Sequence, residues 1–248
     1  MTDSRRFYRA MSHSTLGPSR QTFGPNLRIL VVLLVIGFLF SGLAYAVAHE
    51  IRDRTAWIVF NALTVGFGVT IVGSLASRAW LHDGGISYRS IFGYGEVRWE
   101  EIEWIYYGAA DLQAHWIPLG KLERLKLVTR EQRKVSFGGN IQNASMLYEA
   151  ASQKTFDRLY GRAVEEFNSG TELSFGSIRV TPSLGIIIQK WLVPKTILWR
   201  EIAGFQADEY FVSFDRVAKH FAVRVATERV ANVRVLHLLL MGAMKHVW

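Results

Sequence analysis

The sequence contains no cysteine, which excludes a disulfide framework and any thiolate metal site. It also lacks the patterns that mark common chemistries. There is no HExxH pair for zinc, no GxSxG nucleophile elbow, no GxxxxGK[ST] phosphate loop and no GxGxxG after a strand. The seven histidines, His13, His49, His82, His115, His220, His237 and His246, are scattered and read as satisfied or exposed side chains. Glu100-Glu101 reads as a solvated acidic turn, because adjacent turn residues point apart. No catalytic, cofactor or metal residue is therefore assigned, and the chain does not read as an enzyme. Charge is sparse as well. Charged residues are 20% of the chain and hydrophobic ones 50%, which leans towards membrane proteins. Acid is the scarcer sign, leaving a net charge of +8 that suits an anionic surface such as lipid headgroups.

What is present begins with residues 1–26, rich in Ser, Arg, Gly and Pro without apolar periodicity, which read as a disordered basic tail. The stretch 27–78 reads as a transmembrane helical hairpin with spans at 29–48 and 56–77. Each span is uncharged and long enough to cross about 30 Å of hydrocarbon. Trp57 and Trp80 stand where interfacial anchors are expected. Small residues recur at four-residue spacing, among them Gly37 with Ser41 and Ala62 with Gly66, and would let helices approach closely.

Arg5, Arg6, Arg9, Arg20 and Arg28 precede the first span against one acid, Asp3. In the short inter-helix loop, Arg52 and Arg54 are balanced by Glu50 and Asp53. Positive flanks therefore place both termini in the cytoplasm of a multi-pass inner (cell) membrane protein. An alternative is a cleaved export signal, since Ser4-Arg5-Arg6 resembles a twin-arginine start and Ala46-Val47-Ala48 a cleavage site. Against it, nineteen residues separate Arg9 from the first span, and the apolar run exceeds the usual ~7–15 residues.

Beyond the spans the pattern alternates as strands do. Apolar runs around the turn His82-Asp83-Gly84-Gly85 predict a hairpin, and strands are expected at 125–129 and 134–137. Phe156, Leu159, Tyr160, Ala163, Val164 and Phe167 share one face of a helix over 143–167, closed by Asn168-Ser169-Gly170. A shift of 100 residues aligns 79–102 with 179–202 without a gap. It matches Gly85 with Gly185, Ile86 with Ile186, Trp99 with Trp199, Glu101 with Glu201 and Ile102 with Ile202. Strands at 210–215 and 219–225 and a helix over 232–246 complete the second copy. An insertion at 107–122 lengthens the first.

Strands closed by one helix, twice over, resemble the bacterial pleckstrin-homology-like membrane proteins that carry two N-terminal transmembrane helices. Val97-Arg98-Trp99-Glu100-Glu101-Ile102 and Ile197-Leu198-Trp199-Arg200-Glu201-Ile202 look like their W-x-x-I stretch. The resemblance covers residues 79–248. It implies an α+β membrane protein: a transmembrane hairpin followed by two tandem units, 79–170 and 171–248. Each unit would be a bent antiparallel sheet or half-barrel capped by its C-terminal helix. Two features depart from the pattern. The tryptophan of the closing helix in eukaryotic members is missing, and residues 91–96 hold no Lys or Arg. Phosphoinositide binding is therefore not carried over.

Two surfaces stand out. Lys126, Arg130, Arg133 and Lys134 concentrate positive charge on one hairpin, as an anionic-lipid or partner contact or as a solubilising edge. Leu238, Leu239 and Met241 lie on a last helix apolar nearly all round, which predicts an interface on its outer face. Ile187, in place of an outward Ser87, points to burial on both sides of the second copy. The expected role is a membrane-anchored, cytoplasm-facing binding or scaffolding protein with protein partners or a homo-oligomer, no cofactor and no nucleic acid. The alternative is a membrane-associated enzyme or transporter accessory with a pocket near 107–122.

Overall fold

The computed structural model describes residues 15–51, 54–90, 93–114, 117–139, 141–190, 193–217 and 221–247. The chain divides into two compact units, Met1–Arg98 with Gly139–Asn143, and Trp99–Gly138 with Ala144–Trp248.

In the first unit the two apolar runs form helices α1 (Leu27–Ile51) and α2 (Arg54–Ala76), both long and apolar enough to cross a membrane. A helix satisfies its own backbone, which is what hydrocarbon demands. The polar side chains of α2 follow the same rule: Asn61, Thr64, Thr70 and Ser74 each donate to a carbonyl one turn back, at 2.8–3.0 Å. None of α2 is buried by the chain itself, unlike a core helix of a soluble domain. The helices touch where Gly37 faces Phe67, since a Cβ there would lie 2.5 Å from the ring. Gly42 and Gly66 face open space.

Residues 15–26 are not a disordered tail. Strand β1 (Ser19–Phe23) is the edge of an antiparallel sheet with β2 (Arg78–His82), β3 (Gly85–Ser90) and β4 (Gly93–Arg98), in that order. Phe23 pairs with Ala79 and Thr22 with Trp80, so the ladder joins the strand before the helices to the strand after them. Further contacts hold this N-terminal segment. Gly84 N–H donates to Leu16 O at 3.1 Å, Arg20 Nε lies 2.7 Å from Asp83 Oδ1, and Pro25 bridges Ile141. Sequence reading missed β1 because its partner is distant along the chain. Residues 1–14, with Arg5, Arg6, Arg9 and His13, lie outside the described residues, as do Arg52, Asp53, His115 and His220.

The second unit continues with β5 (Ile102–Ala114), β6 (Ile117–Thr129) and β7 (Lys134–Phe137) in one sheet, then helix α3 (Ala144–Asn168). A four-stranded sheet follows, of β8 (Leu173–Phe175), β9 (Ile178–Thr181), β10 (Gly185–Ile188) and β11 (Lys195–Leu198). A three-stranded sheet, β12 (Ile202–Ala207), β13 (Phe211–Arg216) and β14 (Val223–Ala226), precedes helix α4 (Val233–Val247). Its core gathers the inward residues of β8–β14 and α4 with Leu159 and Ala163 of α3. The 107–122 insertion extends the β5–β6 hairpin; the side chains at 112–120 lie outside the described residues.

Chain order therefore runs twice through a four-stranded sheet, a short 3-10 turn (Trp99–Glu101 and Trp199–Glu201), a three-stranded sheet and a helix. The hydrogen bonds recur too. Arg130 N–H donates to Glu101 O as Val217 N–H does to Glu201 O, both at 2.9 Å. Gln142 N–H donates to Gly24 O as Ala231 N–H does to Phe175 O. Asn143 and Asn232, each directly before its helix, have left-handed φ of 57° and 49°. The matched Gly85 and Gly185 have one cause, since a Cβ at either would stand 2.2 Å from a carbonyl oxygen of the next strand. The ungapped alignment holds only from these glycines on. Leu81 pairs with Ile86 but Val180 with Ile186, so the second copy has one extra residue in that turn. The copies differ most between their first two strands. Only Gly176 and Ser177 separate β8 from β9, whereas residues 24–77, with both long helices, separate β1 from β2.

Candidate functional site

Of the expected anchors, Trp57 lies in the first turn of α2, its ring centroid 5.7 Å from that of Tyr45 and 5.8 Å from that of Phe60. Trp80 is 3% exposed within the sheet and is core, not a surface anchor. Ser87 is buried and not outward. His82 Nδ1 lies 2.8 Å from Gly17 O, which can only accept, and its Nε2 lies 2.8 Å from Ser87 Oγ. In the neutral ring the proton therefore sits on Nδ1 and Ser87 donates. This histidine pins the N-terminal segment to the sheet.

The basic hairpin is largely partnered. Lys126 Nζ lies 5.0 Å from the centroid of the Tyr106 ring, Arg130 Nε 3.9 Å from Glu103 Oε2, and Arg133 Nη2 3.7 Å from Glu101 Oε2. Lys134 is exposed. Glu103 also takes Arg162 Nη2 at 2.5 Å, and that bond holds the guanidinium pKa above its usual value. Arg158 donates to the carbonyls of Trp99 and Ile102, and burial lowers its pKa. The cluster ties α3 to β5 and draws Arg130 and Arg133 towards carboxylates. Beside it lies a cleft of about 190 Å³ containing Glu103, Arg162, Glu166, Ser174 and Asn232, whose charges face one another.

Among the described residues the insertion acts as a strap. Ala109 N–H donates to Glu209 O at 3.0 Å, Tyr210 Oη–H donates to Asp111 at 2.9 Å, and Lys121 pairs with Glu209. Gly108 comes so close to Glu228 that a Cβ would lie 2.6 Å from it. Tyr107 stacks on Tyr148 at 4.5 Å. Burial first, then the charges of Glu123 and Glu209, pushes its hydroxyl pKa well up. Asn232 adds a second tie: its side chain accepts from Ile105 N–H and donates to Glu103 O, both at 2.9 Å.

On α4 the expected interface residues separate. Leu239 is core, while Leu238 and Met241 are exposed. A groove of about 410 Å³ runs between α3 and α4, walled by Tyr160, Val164, Phe167, Trp199, Leu239 and Ala243. Gly242 opens onto it, with nothing within 4 Å of its Cβ position. Sequence reading took α4 as apolar nearly all round and expected one face in the core, but it did not separate Leu239 from Leu238 and Met241.

A model for a family of unknown function, DUF6585, matches residues 1–246, so the match takes in the hairpin and both β-rich copies. The chain belongs to the DUF6585 family. No curated protein and no solved structure matches it. In this DUF6585 chain no group of three or more His, Asp or Glu that could hold a metal occurs among the described residues. The features that sequence reasoning missed are β1, the His82 pin and the Asn232 tie. An Asn directly before each closing helix, at 143 and 232, was the signal available in the sequence for the last.

Proposed function

We propose that this DUF6585 protein is a membrane-anchored binding or scaffolding module, carrying two pleckstrin-homology-like copies on the cytoplasmic face and assembling with protein partners or further copies of itself. One observation carries the reading: β1, ahead of the spans, is hydrogen-bonded to β2, behind them. A hairpin flanked by two paired strands must return to the side it left, so both flanks share one face of the membrane. The excess of arginine there favours the cytoplasm. Cleavage after Ala48 would strip an edge strand from a finished sheet, which weighs against an export signal. The duplicated order of four strands, three strands and helix supports the pleckstrin-homology-like reading. Exposed Leu238 and Met241 supply a surface for assembly.

The test is the size of the tagged full chain taken from native membranes in mild detergent, read by native mass spectrometry. An assembly larger than one chain, dissolved by Leu238→Glu with Met241→Glu while the helical content is kept, is expected. A lone chain in the wild type would refute the scaffolding role. Reporter fusions check the topology: alkaline phosphatase is expected to be inactive at the C-terminus and active in the loop between α1 and α2.

A further inference from the structure

We propose that α4 carries a site for a soft monovalent metal ion, copper(I) or silver(I), held by His237 Nε2 and Met241 Sδ with Met244 Sδ as third donor. Nε2 and the Met241 sulfur already face each other at 3.0 Å, one turn apart on the helix. Met244 follows three residues later, and helical spacing puts all three side chains within about 60° of one flank. Met241 and Met244 belong to only five methionines in the chain, so this turn concentrates the thioethers. Thioether sulfur selects copper(I) over harder ions such as magnesium, and imidazole suits copper as well. The chain has no cysteine, so no thiolate competes for the metal.

The fold does not require these donors. Leu236, Leu239, Leu240 and Ala243, on the adjoining face, are buried and close the core. Met244 is partly buried against that core, whereas Met241 is 41% exposed and His237 half-buried, which leaves the pair open to an arriving ion. The first copy makes the same point. Counting from Asn143 and Asn232, the two residues directly before the helices, positions 237, 241 and 244 correspond to Tyr148, Ser152 and Thr155 of α3. There a hydrogen bond between Tyr148 and Ser152 spans the same turn, with oxygen in place of nitrogen and sulfur. One backbone plan thus accepts a hard pair in one copy and a soft pair in the other.

Phe205 of β12 stands edge-on to His237, ring centroids 5.2 Å apart, and holds the imidazole while the flexible methionines adjust. A first-row ion sits about 2.0 Å from nitrogen and about 2.3 Å from sulfur, so Met241 swings out by about 1 Å to admit it. The neutral ring keeps its proton on Nε2 while it donates to sulfur and on Nδ1 once metal is bound, with no net proton release. The inference rests on neither the scaffolding nor the pleckstrin-homology-like reading.

The full chain in mild detergent, with ascorbate to keep copper reduced, is set to compete with the chromogenic chelator bicinchoninate for copper(I). A single tightly held ion per chain is expected, and likewise for silver(I) by native mass spectrometry. Met241→Leu keeps the volume and His237→Phe keeps the ring against Phe205; each should weaken copper(I) about ten-fold or more. Met146→Leu on α3 should leave the affinity unchanged, with helical circular dichroism as the folding control. X-ray absorption of the copper-loaded wild type should show sulfur beside nitrogen, a readout that needs no variant to fold. Failure to withdraw copper from the chelator overturns the proposal. Full affinity in Met241→Leu overturns it too, as does a spectrum with nitrogen and oxygen neighbours only, which places the ion on other histidines.

Discussion

Asn232 does three things at one position. It adopts a left-handed φ of 49°, starts α4, and spends its side chain on Ile105 N–H and Glu103 O. Asn232→Ala loses both bonds and puts a Cβ-bearing residue without compensation into a strained conformation. We expect a loss of about 2–4 kcal/mol, read by chemical unfolding in detergent. Asn232→Gly, relieved of the strain, should fall between. Glycines give opposite signs by place. Gly85→Ala drives a Cβ into Val97 O and should cost the first unit more than about 2 kcal/mol, whereas Gly242→Ala meets open space inside a helix and should stabilise by about 0.5–1 kcal/mol. The sequence showed that Gly85 and Gly185 match. That a neighbouring strand's carbonyl is the reason is a three-dimensional fact.

The tyrosines of the second unit carry a pH prediction at the same scale. Burial raises the hydroxyl pKa of Tyr107, Tyr148 and Tyr106, with Glu123 and Glu209 adding to the first. A group whose folded pKa lies above its unfolded value of about 10 lends stability that is complete below that value and lost as pH climbs through the folded one. The unfolding midpoint should therefore fall above about pH 10, and less steeply in Tyr107→Phe. Tyrosinate absorbance should rise late in the folded chain and early in the unfolded one.

Among elements, β1 matters most. It completes a sheet only after two apolar helices have been made and brought back, so the hairpin is an insertion in the first turn of the first copy. Phe23, buried and paired with Ala79, is the sensitive point. Phe23→Asp places a charge in that core and should cost about 3 kcal/mol or more, freeing residues 15–23 to protease. The chain purified from membranes should still carry residues 15–48, read by peptide mass mapping; a species cut after Ala48 would contradict the paired-strand argument. α1, α2, α3 and α4 were legible because their signals are local runs or 3.6-residue periods. β1 was not, because five residues with a weak pattern become a strand only through a partner beyond the hairpin.

Over the whole molecule, the two copies share a plan and divide its uses. The first copy spends its basic hairpin on Glu101 and Glu103 and its insertion on Glu209, Tyr210 and Glu228. The second leaves apolar loops and part of α4 exposed. For Lys126, Arg130, Arg133 and Lys134 the sequence left a ligand patch and a solubilising edge open, because it does not show that Glu101 and Glu103 lie beside Arg133 and Arg130. Leu238, Leu239 and Met241 looked alike because apolar residues do not announce which of them the core will take.

Amino-acid order alone settled what depends on near neighbours: two runs long and uncharged enough to cross a membrane, alternating strands, closing helices, and a 100-residue echo between the copies. Folding settled what depends on distant partners. It turned a supposed tail into an edge strand, sent Trp80 and Ser87 inward, set Arg130 and Arg133 of the basic hairpin beside carboxylates and reserved Leu239 for the core. The physical reason is that burial and pairing are relations between segments far apart in the chain, and a linear pattern records only one side of each.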